Sequence, residues 1–239
     1  MMISRKNYLY FFFHIYSNPQ FVNFMSLLSE YLEKLEEWDQ KAFLNIYRSD
    51  FSKRAKKFSI VISFLGSLYF WGLVWLIWFI YGYVTKDYYL LVIFTSGFEQ
   101  SIILHSIVRY KIVRRNRPYI KLKNDGVKKH DDFLKIPYLM RESEKQSFPS
   151  GHVAFFLLFG FIFAFYFQNW IVLVIFLSLD VVIAISRLIL GVHFPIDVIF
   201  GFVFGFLYAL LFLGVTWVYW VRFYYWIGPM FSEIFHFWK

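Results

Sequence analysis

Residues 148–197 read FPSGHVAFFLLFGFIFAFYFQNWIVLVIFLSLDVVIAISRLILGVHFPID. Two apolar runs, Val153–Phe167 and Trp170–Ile185, are separated only by Gln168 and Asn169. Each approaches the ~20 residues with which a helix crosses a ~30 Å hydrocarbon core, and each can extend into the polar residues beside it. So short a break predicts a tight helical hairpin. Its polar outer ends, at 148–152 and 186–197, then share one face of a membrane.

Outward from the hairpin, three more runs have this character: Phe58–Tyr83, Tyr88–Val108 and Val198–Val221. The whole chain agrees with them. Of 239 residues, 59% are apolar, 25% aromatic and only 17% charged, with mean hydropathy +0.50. Soluble domains are about 45–50% apolar and about 25% charged, so a water-soluble globule and a disordered chain are both excluded. The abundant rings suit lipid-facing surface and headgroup anchoring. With no cysteine, disulfides, thiol nucleophiles and Cys-ligated metals are excluded. A net charge of +9 points to an anionic surface or an anionic substrate. The expected fold is all-α, a polytopic transmembrane bundle of five or six crossings.

The ends of the chain organise around that bundle. Residues 29–57 set Tyr31, Leu35, Trp38, Phe43 and Ile46 among charges, which predicts an amphipathic helix lying in the interface. Residues 8–28 are apolar but carry Asn18-Pro19, and read as a sixth crossing, an uncleaved anchor, or in part a start upstream of Met25. The predicted organisation is an N-terminal anchor and interfacial helix over 1–57, a transmembrane domain over 58–222 and an aromatic interfacial tail over 223–239. Residues 109–148 form a polar loop holding 12 of the 25 Lys and Arg. A loop of that length is usually functional.

Three polar islands sit at helix ends: Arg117-Pro118 within RYKIVRRNRPY, Pro149-Ser150-Gly151-His152, and Ser186-Arg187 followed by His193 and Asp197. Guanidinium forks match phosphate oxygens. Ser150-Gly151 opens a helix, whose first N–H groups bind anions, and glycine permits close approach. Together these describe a phosphate cradle. One imidazole can attack phosphorus while the other handles the proton. Pro195 starts the next helix and places Asp197 in its first turn, where it could accept Nδ1–H of His193 and leave Nε2 free. A metal held by His152, His193 and Asp197 is the alternative, but Arg117 and Arg187 would repel a cation, so no metal is expected. Glu99, Asp180 and His105 are polar residues within or near the ends of apolar runs, read either as functional or as buried structural hydrogen bonds.

This pattern resembles the type 2 phosphatidic acid phosphatase family, membrane lipid phosphatases related to vanadium haloperoxidases. The family shows Lys-x6-Arg-Pro, Pro-Ser-Gly-His and Ser-Arg-x5-His-x3-Asp. The second motif is matched at 149–152 and the third at 186–197. The first departs, since Tyr110 stands where the lysine is expected and Lys111 follows one place late. Arg114 or Arg115 are alternative substitutes. The resemblance implies that Arg117, Ser150, Gly151 and Arg187 hold the phosphoryl oxygens, with Lys111 the displaced candidate for the lysine contact. It implies that His193 is the nucleophile, that His152 is the acid and base, and that Asp197 orients His193. It implies no cofactor.

The expected substrate is a lipid phosphate: phosphatidic acid, phosphatidylglycerophosphate, undecaprenyl pyrophosphate or a phosphate of lipid A. A lipid phosphotransferase and a non-catalytic transporter or scaffold are the competing readings. Membrane lipids are the expected surroundings, with no nucleic acid and no obligatory protein partner. Lys121, Lys123, Lys128, Lys129 and Lys135 either receive an anionic headgroup or report topology. The resemblance favours a bacterial inner membrane with the site facing the periplasm or exterior.

Overall fold

A computed structural model describes residues 19–130 and 145–235, with no account of the side chains of 21 and 230–235. The anchor read over residues 8–28 lies outside the described residues up to residue 18, as do Lys135 and tail residues 236–239. Among the described residues the chain is helical, as expected, and it divides into two compact units, Met1–Leu44 and Asn45–Lys239. In the first unit, helix α1 (Pro19–Arg48) begins on a proline, which suits a first helical turn. Its outer face carries Glu30–Lys34 and Glu37–Lys41 pairs one turn apart.

The second unit begins at Asn45, in the last turn of α1, and α1 is broken at Ser49. The Ser49 hydroxyl accepts the Ser52 N–H at 3.2 Å, and α2 (Asp50–Leu65) starts there. The amphipathic stretch expected over 29–57 is therefore shared between two helices. The run expected over Phe58–Tyr83 is likewise divided. Gly66 and Ser67 end α2, the Ser67 hydroxyl caps the Phe70 N–H at 3.3 Å, and α3 (Leu68–Thr85) follows. Lys86 then takes a left-handed conformation and Asp87 receives the Tyr89 N–H at the head of α4 (Tyr89–Ile107). α4 runs into a wider π-turn over Val108–Ile112.

After the short helix α5 (Pro118–Lys121) comes the predicted hairpin, α6 (Gly151–Phe167) and α7 (Trp170–Ile189). Gln168 is left-handed at the corner, and the Asn169 side chain caps the Ile171 N–H at 2.9 Å. α8 (Pro195–Leu211) continues through a π-turn over Phe212–Thr216 into α9 (Trp217–Phe235). Val198–Val221 and residues 223–235 of the stretch read as a separate tail thus share one helical path, which no breaker interrupts before Gly228-Pro229.

α3, α4 with its π-turn, α7 and the α8–α9 helix are long and apolar enough to cross a membrane, while α6 is apolar at 17 residues. This is an integral membrane protein. α6 occupies the centre, buried on nearly all sides and packed against α4, α7 and α8. The Trp71 ring lies 4.2 Å from that of Phe159, which stacks on Phe94 at 4.4 Å, and Phe176 completes the cluster. The α6–α8 seam depends on two glycines four apart. A Cβ on Gly205 would stand 2.7 Å from the Ala154 carbonyl oxygen, and one on Gly201 would stand 2.9 Å from the Val153 Cβ. Small residues at this spacing let membrane helices approach backbone to backbone. On the far side, the Gln100 side-chain oxygen accepts from Thr216 and Trp220, and Glu99 accepts from Tyr224, which ties α4 to α9. Those two residues thus make half-buried hydrogen bonds between helices.

Candidate active site

The three polar islands meet at one end of the bundle, because the helices that carry them begin or end there. Arg187 is in the last turn of α7, and His193 follows the Gly191 turn, whose φ of +74° favours glycine. Asp197 sits in the first turn of α8, and Ser150-Gly151-His152 open α6. A main-chain bond from the Ser150 N–H to the Asp197 carbonyl, 2.9 Å, joins the starts of α6 and α8. The approach to Arg117 is extended. Asn116 bridges Gln146, the Arg117 N–H donates to Lys145 at 3.0 Å, and the Ser147 N–H donates to Arg115 at 2.8 Å.

His193 is 1% exposed, and the Ser147 main chain lies within hydrogen-bonding reach of its ring. Burial, then Arg117, Arg187 and Arg109, push its pKa well below the ordinary histidine value, so the ring is neutral at neutral pH. His152 faces the same set, lying within electrostatic range of Arg187, His193, Arg117 and Arg109. A Cβ on Gly66 would come within 2.9 Å of the His152 Cβ, so the α2–α3 break makes room for this imidazole. Arg187 donates to the Ser63 hydroxyl of α2, and the Arg117 Nε to the Gln146 carbonyl at 3.2 Å. Ser150 is fully buried, and its hydroxyl has no hydrogen-bond partner among the described residues.

Asp197 is more occupied than sequence reasoning anticipates. Its Oδ2 accepts the Phe194 N–H and its Oδ1 accepts from Arg115 Nη1, both at 2.8 Å. The His193 Nδ1 stands 3.8 Å from Oδ2, beyond a hydrogen bond. The Arg115 guanidinium also lies over the Phe194 ring, 4.2 Å from its centroid.

The second difference concerns the missing lysine. Lys111 is exposed, whereas Arg109 reaches into the site. Its Nη2 donates to the Pro149 carbonyl at 2.6 Å, and it lies within electrostatic range of His193, Arg117 and Asp197. The π-turn over Val108–Ile112 changes which residues face inward, and an ideal-helix register cannot anticipate this. Asp180 is fully buried in α7, and its carboxyl makes no hydrogen bond among the described residues. His105 lies beneath Gly151, in contact with Tyr208.

A cleft of about 330 Å³ lies beside the Gly191 turn, lined by Tyr47, Arg48, Ser52, Lys53, Lys56 and Ile189. Lys56 is within electrostatic range of Lys128, and the Tyr47 hydroxyl bonds His130 at 3.1 Å. Among the described residues no group of three or more His, Asp or Glu side chains could hold a metal ion.

The family model described as the PAP2 superfamily matches residues 87–223. No curated protein matches the sequence. The structure is similar to that of a transmembrane PAP2-type phosphatidylglycerolphosphate phosphatase from Bacillus subtilis. The TM-score is 0.52 at 22% identity, covering 76% of this chain and 85% of that one. It is also similar to Aquifex aeolicus LpxE, with TM-score 0.48 at 22% identity, covering 73% of this chain and 93% of that one.

Proposed function

The chain belongs to the PAP2 superfamily, and from that premise we propose that it is a lipid phosphate phosphatase working through a phosphohistidine. The observation that carries this reading is the gathering of His152, His193, Arg109, Arg117 and Arg187 at one end of a membrane bundle. Three guanidinium groups and the opening of α6 suit a phosphoryl group, whose transition state spreads negative charge over its equatorial oxygens. His193, held neutral, attacks phosphorus. The bond from phosphorus to the lipid oxygen breaks, and that oxygen takes a proton from His152, which enters this step as the imidazolium, its charge offset by the bound phosphate dianion. His152 then removes a proton from water, which attacks phosphorus and releases His193 and inorganic phosphate. Asp197 fixes the His193 turn through the Phe194 N–H, and Arg115 holds Asp197 in place.

The substrate on this reading is amphiphilic. The site lies at helix ends, where a phosphate can enter from the headgroup layer while the acyl or prenyl tail stays in hydrocarbon. Phosphatidic acid, phosphatidylglycerophosphate, undecaprenyl pyrophosphate and lipid A phosphate all have this form. The basic cleft beside Gly191 suits an anionic headgroup. On this reading the family resemblance favours the exterior of a bacterial inner membrane for the catalytic face.

The experiment is phosphate release from a panel of these lipids by the detergent-solubilised chain. Release of inorganic phosphate, undiminished by excess EDTA, is expected. Transfer to a second lipid without release would identify a phosphotransferase. No reaction with any lipid, or strict dependence on a metal, would overturn the mechanism.

A further inference from the structure

His105 is 4% exposed, on the last turn of α4. Its ring packs on Phe155, with centroids 5.0 Å apart. Its Nδ1 lies 3.3 Å from the Tyr208 hydroxyl. Tyr208 is itself buried at 3% exposure, and a buried phenol needs an acceptor for its proton. Tyr208 therefore donates to Nδ1, which assigns the ring proton to Nε2. That Nε2 is buried and has no hydrogen-bond partner among the described residues.

Nε2 is not placed at random. A Cβ built on Gly151 would stand 3.3 Å from it and 3.6 Å from Arg109 Nη2. The Ser150 hydroxyl, also buried and unpartnered, belongs to the same turn, and so does the Pro149 carbonyl that receives Arg109. His105 is also within electrostatic range of Arg109 and His193. Unsatisfied buried donors are rare, and two of them beside the half-buried Arg109 cation at the opening of one helix mark a place for acceptor oxygens.

We propose that His105 is a third imidazole of the cradle, donating its Nε2–H to a phosphoryl oxygen beside the Gly151 turn, with Tyr208 fixing its tautomer. The ligand class is a tetrahedral or trigonal-bipyramidal oxyanion. That the oxyanion is a lipid phosphate rests on the phosphatase reading above. His105 makes no covalent bond and moves no proton in the reaction. Its contribution is one charge-assisted hydrogen bond, given at the Gly151 turn beside Arg109.

The test is calorimetric titration of the full-length, detergent-solubilised chain with inorganic vanadate, alongside phosphate release from lipid. His105→Phe is expected to weaken vanadate about tenfold or more, the worth of one hydrogen bond to a charged group. His105→Gln, which can present an N–H at similar reach, should recover most of the affinity. Melting temperatures should stay close to wild type. Tyr208→Phe, which leaves His105 in place, should weaken vanadate a few-fold. Wild-type affinity in His105→Phe overturns the proposal. So does an equal loss in both His105 variants with lowered melting temperature, which identifies a structural role. If His105→Phe does not fold, unchanged affinity in Tyr208→Phe overturns it. Tight vanadate binding without phosphate release from any lipid refutes the phosphatase reading and leaves the His105 comparison legible. A wild-type chain that binds no vanadate refutes the cradle itself.

Discussion

Arg109 and Lys111 are two residues apart and carry the same charge, yet the structure gives them opposite fates. Arg109 is half-buried, donates to the Pro149 carbonyl at 2.6 Å and lies within electrostatic range of His193, and Lys111 is exposed. Replacing Arg109 with Ala removes a cation from the space where charge develops. Loss of one preorganised donor of this kind costs about 10²–10³ in turnover, or about 2.7–4 kcal/mol of transition-state stabilisation. The Pro149 carbonyl also loses its charged partner, worth about 1.5–3 kcal/mol, so part of the deficit comes from a displaced Ser150-Gly151 turn. Relief of repulsion with Arg117 acts in the opposite direction on stability, so the variant should fold. Phosphate release under kcat/KM conditions should therefore fall about 10²–10³-fold for R109A. For K111A it should change less than about threefold, as for most exposed charges. R109K should be intermediate, since an ammonium keeps the charge but loses the fork. The reverse ranking, with K111A crippled and R109A near wild type, would refute the reading of the π-turn.

The remaining predictions concern the imidazoles and the packing. H152A should lose about 10²–10⁴ in turnover through the missing general acid, and H193A should lose all turnover. Acid-quenched enzyme should hold radiolabelled phosphate in wild type and none in H193A; label retained in H193A would remove it from the nucleophile's role. Because the folded pKa of His193 is depressed, its neutral form favours the native state. That stability is full above about pH 6.5 and is lost as pH falls through the folded value. The melting temperature should drop on acidification below pH 6.5, and less so in H193N; an identical drop in both would contradict the shift. Gly205→Ala would force its Cβ to 2.7 Å from the Ala154 carbonyl oxygen, costing about 1–3 kcal/mol, whereas Gly214 has open space around it. G205A should therefore melt lower than wild type and G214A should not; equal melting would show that the α6–α8 seam yields easily.

Much of this arrangement was legible in the sequence, and for identifiable reasons. A two-residue break between apolar runs has few outcomes other than a hairpin, so α6 and α7 follow from composition. The polar islands are local in sequence, and the helix ends that carry them are set by Ser150, Gly191 and Pro195. What spacing could not supply was Arg109, because a π-turn shifts side chains without leaving a compositional mark. The breaks at Ser49 and Gly66-Ser67 were also missed. Each is a short capping event inside a stretch whose average character barely changes. The partner of Asp197 was hidden for a different reason. Arg115 and Asp197 are 82 positions apart, and only the short pairing of Asn116 with Gln146 turns that arginine towards the carboxylate.

The helical path from Pro195 to Pro229 has 35 residues. At 1.5 Å per residue it is roughly 50 Å long, against a hydrocarbon layer of about 30 Å. So long a rod has to lean or protrude. Its leading turn carries Asp197, and the Ser150 link yokes that turn to α6. Any change of lean therefore raises or lowers the reactive floor as a unit against the plane of the headgroups. On the phosphatase reading, bilayer thickness would then be a mechanical input to how deeply a lipid must sit before its phosphorus meets the imidazoles.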